Sequence, residues 1–424
     1  MRGNMRGNMR GNVGANVTRT GQGRAARSWR GPAVLSFGFR PFFLFAPIFA
    51  VLAMSNWLLL LAGGGVAPAA LDPLSWHVHE MLFGYVPAAI AGFLLTAVPN
   101  WTGRLPVRGW PLLVLVALWV AGRVALFWPA APVPGGAGAV DAAFMPVFAA
   151  LVAREIVAGR NWRNLKVLAP LLALAGANLW FLADPQAAVP QGGAVRLGFG
   201  AVLTLIMLIG GRIIPSFTRN WLAGRPGGAD RGPMPVPFNR FDAAVVAVSL
   251  LALAGWIAGR AGEAPGARTA LAGLAGLAGL GHLLRLARWQ GRRCLGNPLL
   301  AVLHGFYLFV PLGFVLLGGA LALGDGALSQ AAVHLWGIGA IGGMTMAVML
   351  RASLGHTGRA LRADAPARAM TVLLAAAALL RGAGALWPAA GLIEAAGLAW
   401  IAGFAIFAFR VGPWLVRPRL APAR

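Results

Sequence analysis

Apolar residues run along most of this chain in long blocks, and polar residues gather between the blocks. Crossing a hydrocarbon core takes about 20 mostly apolar residues. Twelve stretches qualify, at roughly 40–62, 75–98, 111–128, 134–157, 166–184, 194–215, 241–259, 267–288, 299–322, 328–350, 367–387 and 391–412. The fourth is the weakest, because Gly135 to Asp141 opens it poorly. Glycine and proline mark most connections, as in Gly63-Gly64-Gly65, Pro132-Val133-Pro134 and Pro233-Met234-Pro235. The pattern predicts an all-α polytopic membrane bundle of about twelve transmembrane helices over residues 36–412. A disordered basic tail over 1–35 precedes it, and a short basic tail over 413–424 follows.

The placement of basic residues tests that count. With successive connections assigned to alternate sides, 31 of the 36 Lys and Arg residues fall on the side of the two termini and four on the other. Arg123 alone lies inside a span. A miscount by one helix would scramble this asymmetry, and the positive-inside rule then puts both termini in the cytoplasm. Trp76, Trp110, Trp128, Trp256, Trp289 and Trp387 fall near span ends, as an aromatic belt requires.

Composition narrows the class. Of 424 residues 58% are hydrophobic and 11% charged, against roughly 25% charged in soluble domains. A net charge of +25 would point to nucleic acid in a soluble protein; here it reports topology, and no nucleic-acid partner is expected. Lys166 is the only lysine, a bias that fits a GC-rich genome. Met-Arg-Gly-Asn repeats three times at the start without an apolar run, so it is not a signal peptide. The single cysteine, Cys294, excludes a disulfide framework and an all-cysteine metal site within one chain. There is no Cys-x-x-Cys-His, so any haem would be held non-covalently, through histidine.

Candidate chemistry concentrates in Trp76-His77-Val78-His79-Glu80-Met81, at the head of the second span. The chain has six histidines and eleven acids, and three of these lie within four positions. Ionisable groups in a membrane segment are costly and mark function, and imidazole is the commonest ligand for transition metals. Residues two apart on a helix point about 200° apart, so His77 and His79 suit two sites better than one chelate. Glu80 could ligate, orient an imidazole or carry protons. The competing reading is a pair of interfacial histidines bonded to loop carbonyls.

By depth, His77, His79 and His334 lie near the non-cytoplasmic ends of their spans. His282, His304 and His356 lie toward the cytoplasm, so two metal-competent layers are possible. His334 stands above Met344, Met346 and Met349, which suit copper(I) or simple packing. His304 shares a face with Tyr307, and His282, beside Arg285 and Arg288, reads as interfacial. Arg40, Arg212 and Arg351 sit at span ends, where guanidinium forks could take cofactor carboxylates or snorkel to headgroups. Arg123 is deeper and has no evident partner. Glycines at 273, 276 and 279, and the pair Gly339 and Gly343, predict close helix approach.

Several strings in order resemble the NnrS family. They are Gly38-Phe39-Arg40-Pro41-Phe42-Phe43, the Trp76 to Gly84 run, and Gly92 to Gly103. Gly211-Arg212-Ile213-Ile214-Pro215-Ser216-Phe217-Thr218 and Leu354-Gly355-His356-Thr357-Gly358-Arg359 follow. The similarity extends from about residue 36 to about 410. It implies a twelve-span bacterial inner-membrane protein containing haem and copper. It also implies links to denitrification and nitric oxide response genes and a role in resisting nitrosative stress. Nitric oxide or iron–nitrosyl species are the implied ligands, with metal candidates His77, His79, His304, His334 and His356. Arg40, Glu80, Arg212 and Arg351 are candidates for cofactor contact. Whether turnover occurs is open. The alternatives are a transporter or channel for a metal or small anion, with Arg123 in its pathway, and a sensor or assembly factor acting through its 212–240 connection.

Overall fold

A computed structural model describes residues 29–128, 136–225, 232–259, 265–388 and 391–421. Among them all regular structure is helical, and twelve helices are long and apolar enough to cross a membrane. They are α1 (Phe39–Leu61), α2 (Pro73–Thr102), α3 (Trp110–Phe127), α4 (Gly136–Ala158), α5 (Trp162–Ala183) and α6 (Gly193–Ala223). The second six are α7 (Arg240–Ala258), α8 (Gly266–Arg288), α9 (Pro298–Leu323), α10 (Gly326–His356), α11 (Ala365–Leu386) and α12 (Leu392–Val416). Every expected stretch has its helix. The largest differences are in α2, α6 and α10, which extend to 30, 31 and 31 residues through polar turns that hydropathy alone does not include. Residues 33–35 already form a 3-10 turn, and the Leu35 carbonyl accepts from the Gly109 N–H at 3.0 Å. Most of the expected N-terminal tail and the Pro132-Val133-Pro134 connection lie outside the described residues.

Twelve crossings return both termini to one end of the bundle, the proximal end; the opposite end is distal. Helix starts follow from local capping. The Asp72 carboxylate accepts from the N–H groups of Leu74 and Ser75 ahead of Pro73. Asn239 and Asp242 form a capping box at α7, and Asp325 and Asp364 cap α10 and α11. Gly103, at φ +72°, closes α2 in the left-handed conformation that glycine adopts without strain.

Three helices form the centre. In their most apolar windows α2 is 83% buried, α10 67% and α6 61%, against 28% for α1 and 33% for α12 at the lipid-facing rim. Both α2 and α10 widen into π-helical segments, over Glu80–Tyr85 and Leu335–Gly343. Such segments free backbone carbonyls and recur at functional sites. Here the carbonyls find partners: Trp119 donates to Gly84 at 2.9 Å, and the Thr345 hydroxyl donates to Ile341 at 2.7 Å. Tyr85 Oη then donates to Thr345 Oγ1 at 2.6 Å, joining the two widened helices.

Gly339 and Gly343 seat the rings of Phe309 and Phe306, which explains that pair as α9–α10 packing. Of the three α8 glycines expected to approach a neighbour, only Gly279 is in close contact, against Pro311 and Val315; a methyl at Gly273 or Gly276 would meet nothing. Trp110, Trp128 and Trp387 are exposed at span ends as a belt requires, whereas Trp76, Trp256 and Trp289 are buried. Their span-end positions face other helices instead of headgroups.

Candidate functional site

The histidines sort by what their ring nitrogens touch. His79, buried near the distal end, sits among four polar residues from α2, α3, α4 and α5. Its Nε2 donates to Asn178 Oδ1 at 2.9 Å and lies 3.2 Å from Asp141 Oδ2. The amide orientation follows from the network, because Asn178 Nδ2 donates to Asp141 at 2.8 Å. Nε2 therefore carries a proton and has no lone pair to offer a metal. His79 Nδ1 faces Glu80 Oε1 at 3.5 Å, and neither atom has a hydrogen-bond partner. Arg123 bridges Glu80 and Asp141. Gly84 makes this possible, since a side chain there would meet Arg123 Nη1 and Glu80 Oε2.

A second polar cluster, nearer the proximal end, is built on α6, α7, α8 and α9. Arg285 Nε donates to Asp242 at 2.9 Å, and Arg285 Nη1 donates to Tyr307 Oη at 3.0 Å. Tyr307 Oη lies 3.0 Å from His282 Nδ1, so the phenol donates onward to the imidazole. On the other edge His282 Nε2 contacts Ser249 Oγ and Met207 Sδ, both at 3.0 Å. The Ser249 hydroxyl is already donating to Val245 at 2.8 Å, which makes its oxygen the acceptor. His282 is thus fully engaged and buried, not interfacial, because Asp242 takes the arginine that would otherwise pull this corner to the surface. Tyr307 also serves His282, not its helix neighbour His304.

Four histidines remain with nitrogen to spare. His77 stacks on Trp57, with centroids 4.5 Å apart, and its buried Nδ1 has no partner. His334 and Arg381 lie within its electrostatic reach. His334 Nδ1 bonds the Gln330 carbonyl at 2.8 Å, leaving Nε2 free, and Arg381 Nη1 is buried without a partner. His304 repeats the pattern: Nδ1 bonds Leu300 O at 3.0 Å, and Nε2 approaches Thr218 Oγ1 at 3.5 Å, with the Trp289 backbone also bonded to the ring. Thr218 also bonds Cys294, a buried thiol that burial pushes up, which keeps it protonated. His356 packs its ring on Phe39 at 5.3 Å. Among the described residues no group of three or more His, Cys, Asp or Glu side chains is placed to hold a metal ion.

The three arginines expected to contact a cofactor are engaged with protein groups. Arg40 Nη1 donates to the carbonyls of Leu415 at 2.8 Å and Arg417 at 2.6 Å, fastening the end of α12 to the start of α1. Arg212 donates to Asn164 at 3.1 Å, and Arg351 lies 4.4 Å over the Phe217 ring. Asp141, Asn178, Asp242 and Ser249 were not singled out from sequence. Asp141 carried a usable signal: it lies about as far from the distal end of α4 as Arg123 does from that of α3, with opposite charge.

Between α1, α2, α6 and α10 lies an apolar crevice of about 80 Å³, walled by residues that include Phe43, Phe93, Ile206, Met344 and Met349. A family model described as NnrS protein matches residues 33–419, the whole twelve-helix domain. No curated protein matches the chain.

Proposed function

The chain belongs to the NnrS family, a membrane protein of the nitric oxide response, and on that premise we propose that it carries haem and copper and protects against nitrosative stress. It would do so in the bacterial inner membrane with both termini cytoplasmic. The observation that carries the reading is the buried, unpartnered Nδ1 of His77, with His334 and Arg381 beside it. A buried polar atom without a partner is rare in a native structure and calls for an explanation. Metal-ligating imidazoles are oriented by a bond from the other ring nitrogen to a carbonyl, and His334 and His304 both have one. Those bonds and the spare imidazole nitrogens support the reading. We assign His77 and His334 to one metal and His304 to the other layer.

Iron or copper held there would supply a metal able to bind nitric oxide. Trp57 fixes the His77 ring plane, the Gln330 carbonyl orients His334, and Arg381 stands ready for a carboxylate or other anion. The apolar crevice offers an uncharged diatomic a dry place inside the bundle. The transporter reading relied on Arg123, whose guanidinium is instead held between two carboxylates.

Purified wild type and the His77→Ala, His79→Ala, His304→Ala, His334→Ala and His356→Ala variants should be compared by optical spectrum and metal content. His77→Ala and His334→Ala should lose the same metal to the same degree. His304→Ala should spare that metal. Wild-type protein with neither a Soret band nor stoichiometric copper would sink the reading. Intact metal in both His77→Ala and His334→Ala would remove the assignment.

A further inference from the structure

At the proximal end, the loop after α10, the start of α11 and the end of α12 enclose a pocket of about 220 Å³. Its charged lining is Arg359, Arg362, Arg410 and Asp364, with Trp414 as one wall. Asp364 is committed to Arg410, accepting from Nε at 3.0 Å and Nη2 at 2.8 Å. Arg359 has no such acid. Its guanidinium lies 4.6 Å over the Trp414 ring, which Arg410 also approaches, at 4.9 Å. Arg359 Nη1 is buried with no hydrogen-bond partner.

Burial, then the adjoining charges of Arg410 and Arg417, push the Arg359 guanidinium below its ordinary range. A guanidinium does not give up its proton in a protein, so burial and like charge leave a cation that a bound anion would relieve. The backbone holds the side chain in place. Gly358 turns at φ +81°, and any side chain there would press on the Leu420 carbonyl. The Leu420 N–H bonds Thr357 O at 3.0 Å, and the Arg359 N–H bonds Leu354 O at 2.8 Å. The C-terminal segment therefore straps down the loop that presents Arg359.

We propose that this pocket binds one phosphate group, gripped by Arg359 and Arg362 and carried by an anionic phospholipid headgroup or free in solution. Guanidinium forks match phosphate oxygens in planar, charge-assisted pairs. The site lies at helix ends, and it uses none of the histidines assigned to metal.

The test uses the delipidated full chain in detergent, free of phosphate buffer. Phosphatidylglycerol is titrated by native mass spectrometry, with phosphatidylcholine as control, and inorganic phosphate by calorimetry. Wild type should bind one phosphatidylglycerol at a saturable site. Arg359→Gln should weaken it about tenfold or more, as loss of a charged hydrogen bond does. Ala360→Glu, which adds a carboxylate to the lining and removes no arginine, should do the same and carries the test if Arg359→Gln does not fold. Arg268→Gln at the distal end should change nothing. Inorganic phosphate binding that is lost in the same two variants identifies the free ion as source; phosphatidylglycerol binding alone identifies the headgroup. Equal binding of both probes by wild type and both variants, or no binding of either by wild type, overturns the proposal.

Discussion

The clusters around His79 and His282 use the same parts at opposite ends of the bundle. Each sets an arginine against an aspartate, places a histidine beside them, and seats the guanidinium against a glycine of a central helix: Gly84 of α2 for Arg123, and Gly211 of α6 for Arg285. The His282 cluster sets one carboxylate, Asp242, against Arg285, with Arg288 also 3.7 Å from it, and its imidazole is satisfied on both edges. The His79 cluster has two carboxylates for one guanidinium, and its Nδ1 faces Glu80 without a bond. Charge buried in a membrane is tolerated when paired. One cluster keeps a second guanidinium, Arg288, on its carboxylate; the other depends entirely on Arg123, with the His79 ring the only other group there able to carry positive charge.

The strongest way to break this comparison is to remove each arginine. Losing one partner of a buried pair costs about 3–5 kcal/mol. Arg123→Leu strands two carboxylates and should reach the top of that range or prevent folding. Arg285→Leu leaves Asp242 with Arg288 still 3.7 Å away and should cost less. Thermal unfolding in detergent ranks them, and a larger loss for Arg285→Leu would reverse the charge count.

The glycines sharpen it next. Gly84→Ala and Gly211→Ala put a methyl where a guanidinium lies, and overpacking costs about 1–3 kcal/mol. Gly84→Ala should be the worse, because its methyl meets both Arg123 and Glu80. Gly276→Ala, whose methyl meets nothing, should leave the midpoint unchanged or raise stability by up to about 1 kcal/mol. A uniform response across the three would show that helix propensity, not the seating of arginine, sets the effect.

What could be read in advance follows the same divide. Spans needed only length and apolarity, which are local, so all twelve were legible. The polar extensions of α2, α6 and α10 were not, since their burial comes from neighbouring helices. His77-Val78-His79-Glu80 was visible as a cluster because its members adjoin in sequence. That His79 would join Asn178 while His77 kept a free nitrogen depended on contacts up to about 100 residues away. Asp141, which weakened the fourth span as a hydropathic segment, is the residue that pairs Arg123. His282 looked interfacial because Asp242, at the far end of α7, could not be placed beside Arg285 without a fold. Of the two π segments, only Leu335–Gly343 left a sequence mark, its clustered glycines.

A third aspartate–arginine pair, Asp364 with Arg410, repeats the chemistry at the exposed proximal surface and gives the smallest effect. Burial pushes the Asp364 carboxyl up, but bonds from Arg410 and the Ala367 N–H outweigh it, and the group ends below its ordinary value. A lowered carboxyl contributes stability above its ordinary value near pH 4, and that contribution fades as pH falls through the folded value. Exposed pairs are worth about 0.2–1 kcal/mol and are screened by salt. Asparagine can still cap α11, so Asp364→Asn removes the ion pair alone. The variant should melt slightly below wild type at pH 7 in low salt. That gap should narrow as pH falls below 4 and close in 1 M salt, while the deficits of the Arg123 and Arg285 variants persist in salt because water and ions do not reach those sites. A gap that survives both treatments would mean that Asp364 acts through packing, and the contrast between buried and exposed pairs would lose its third member.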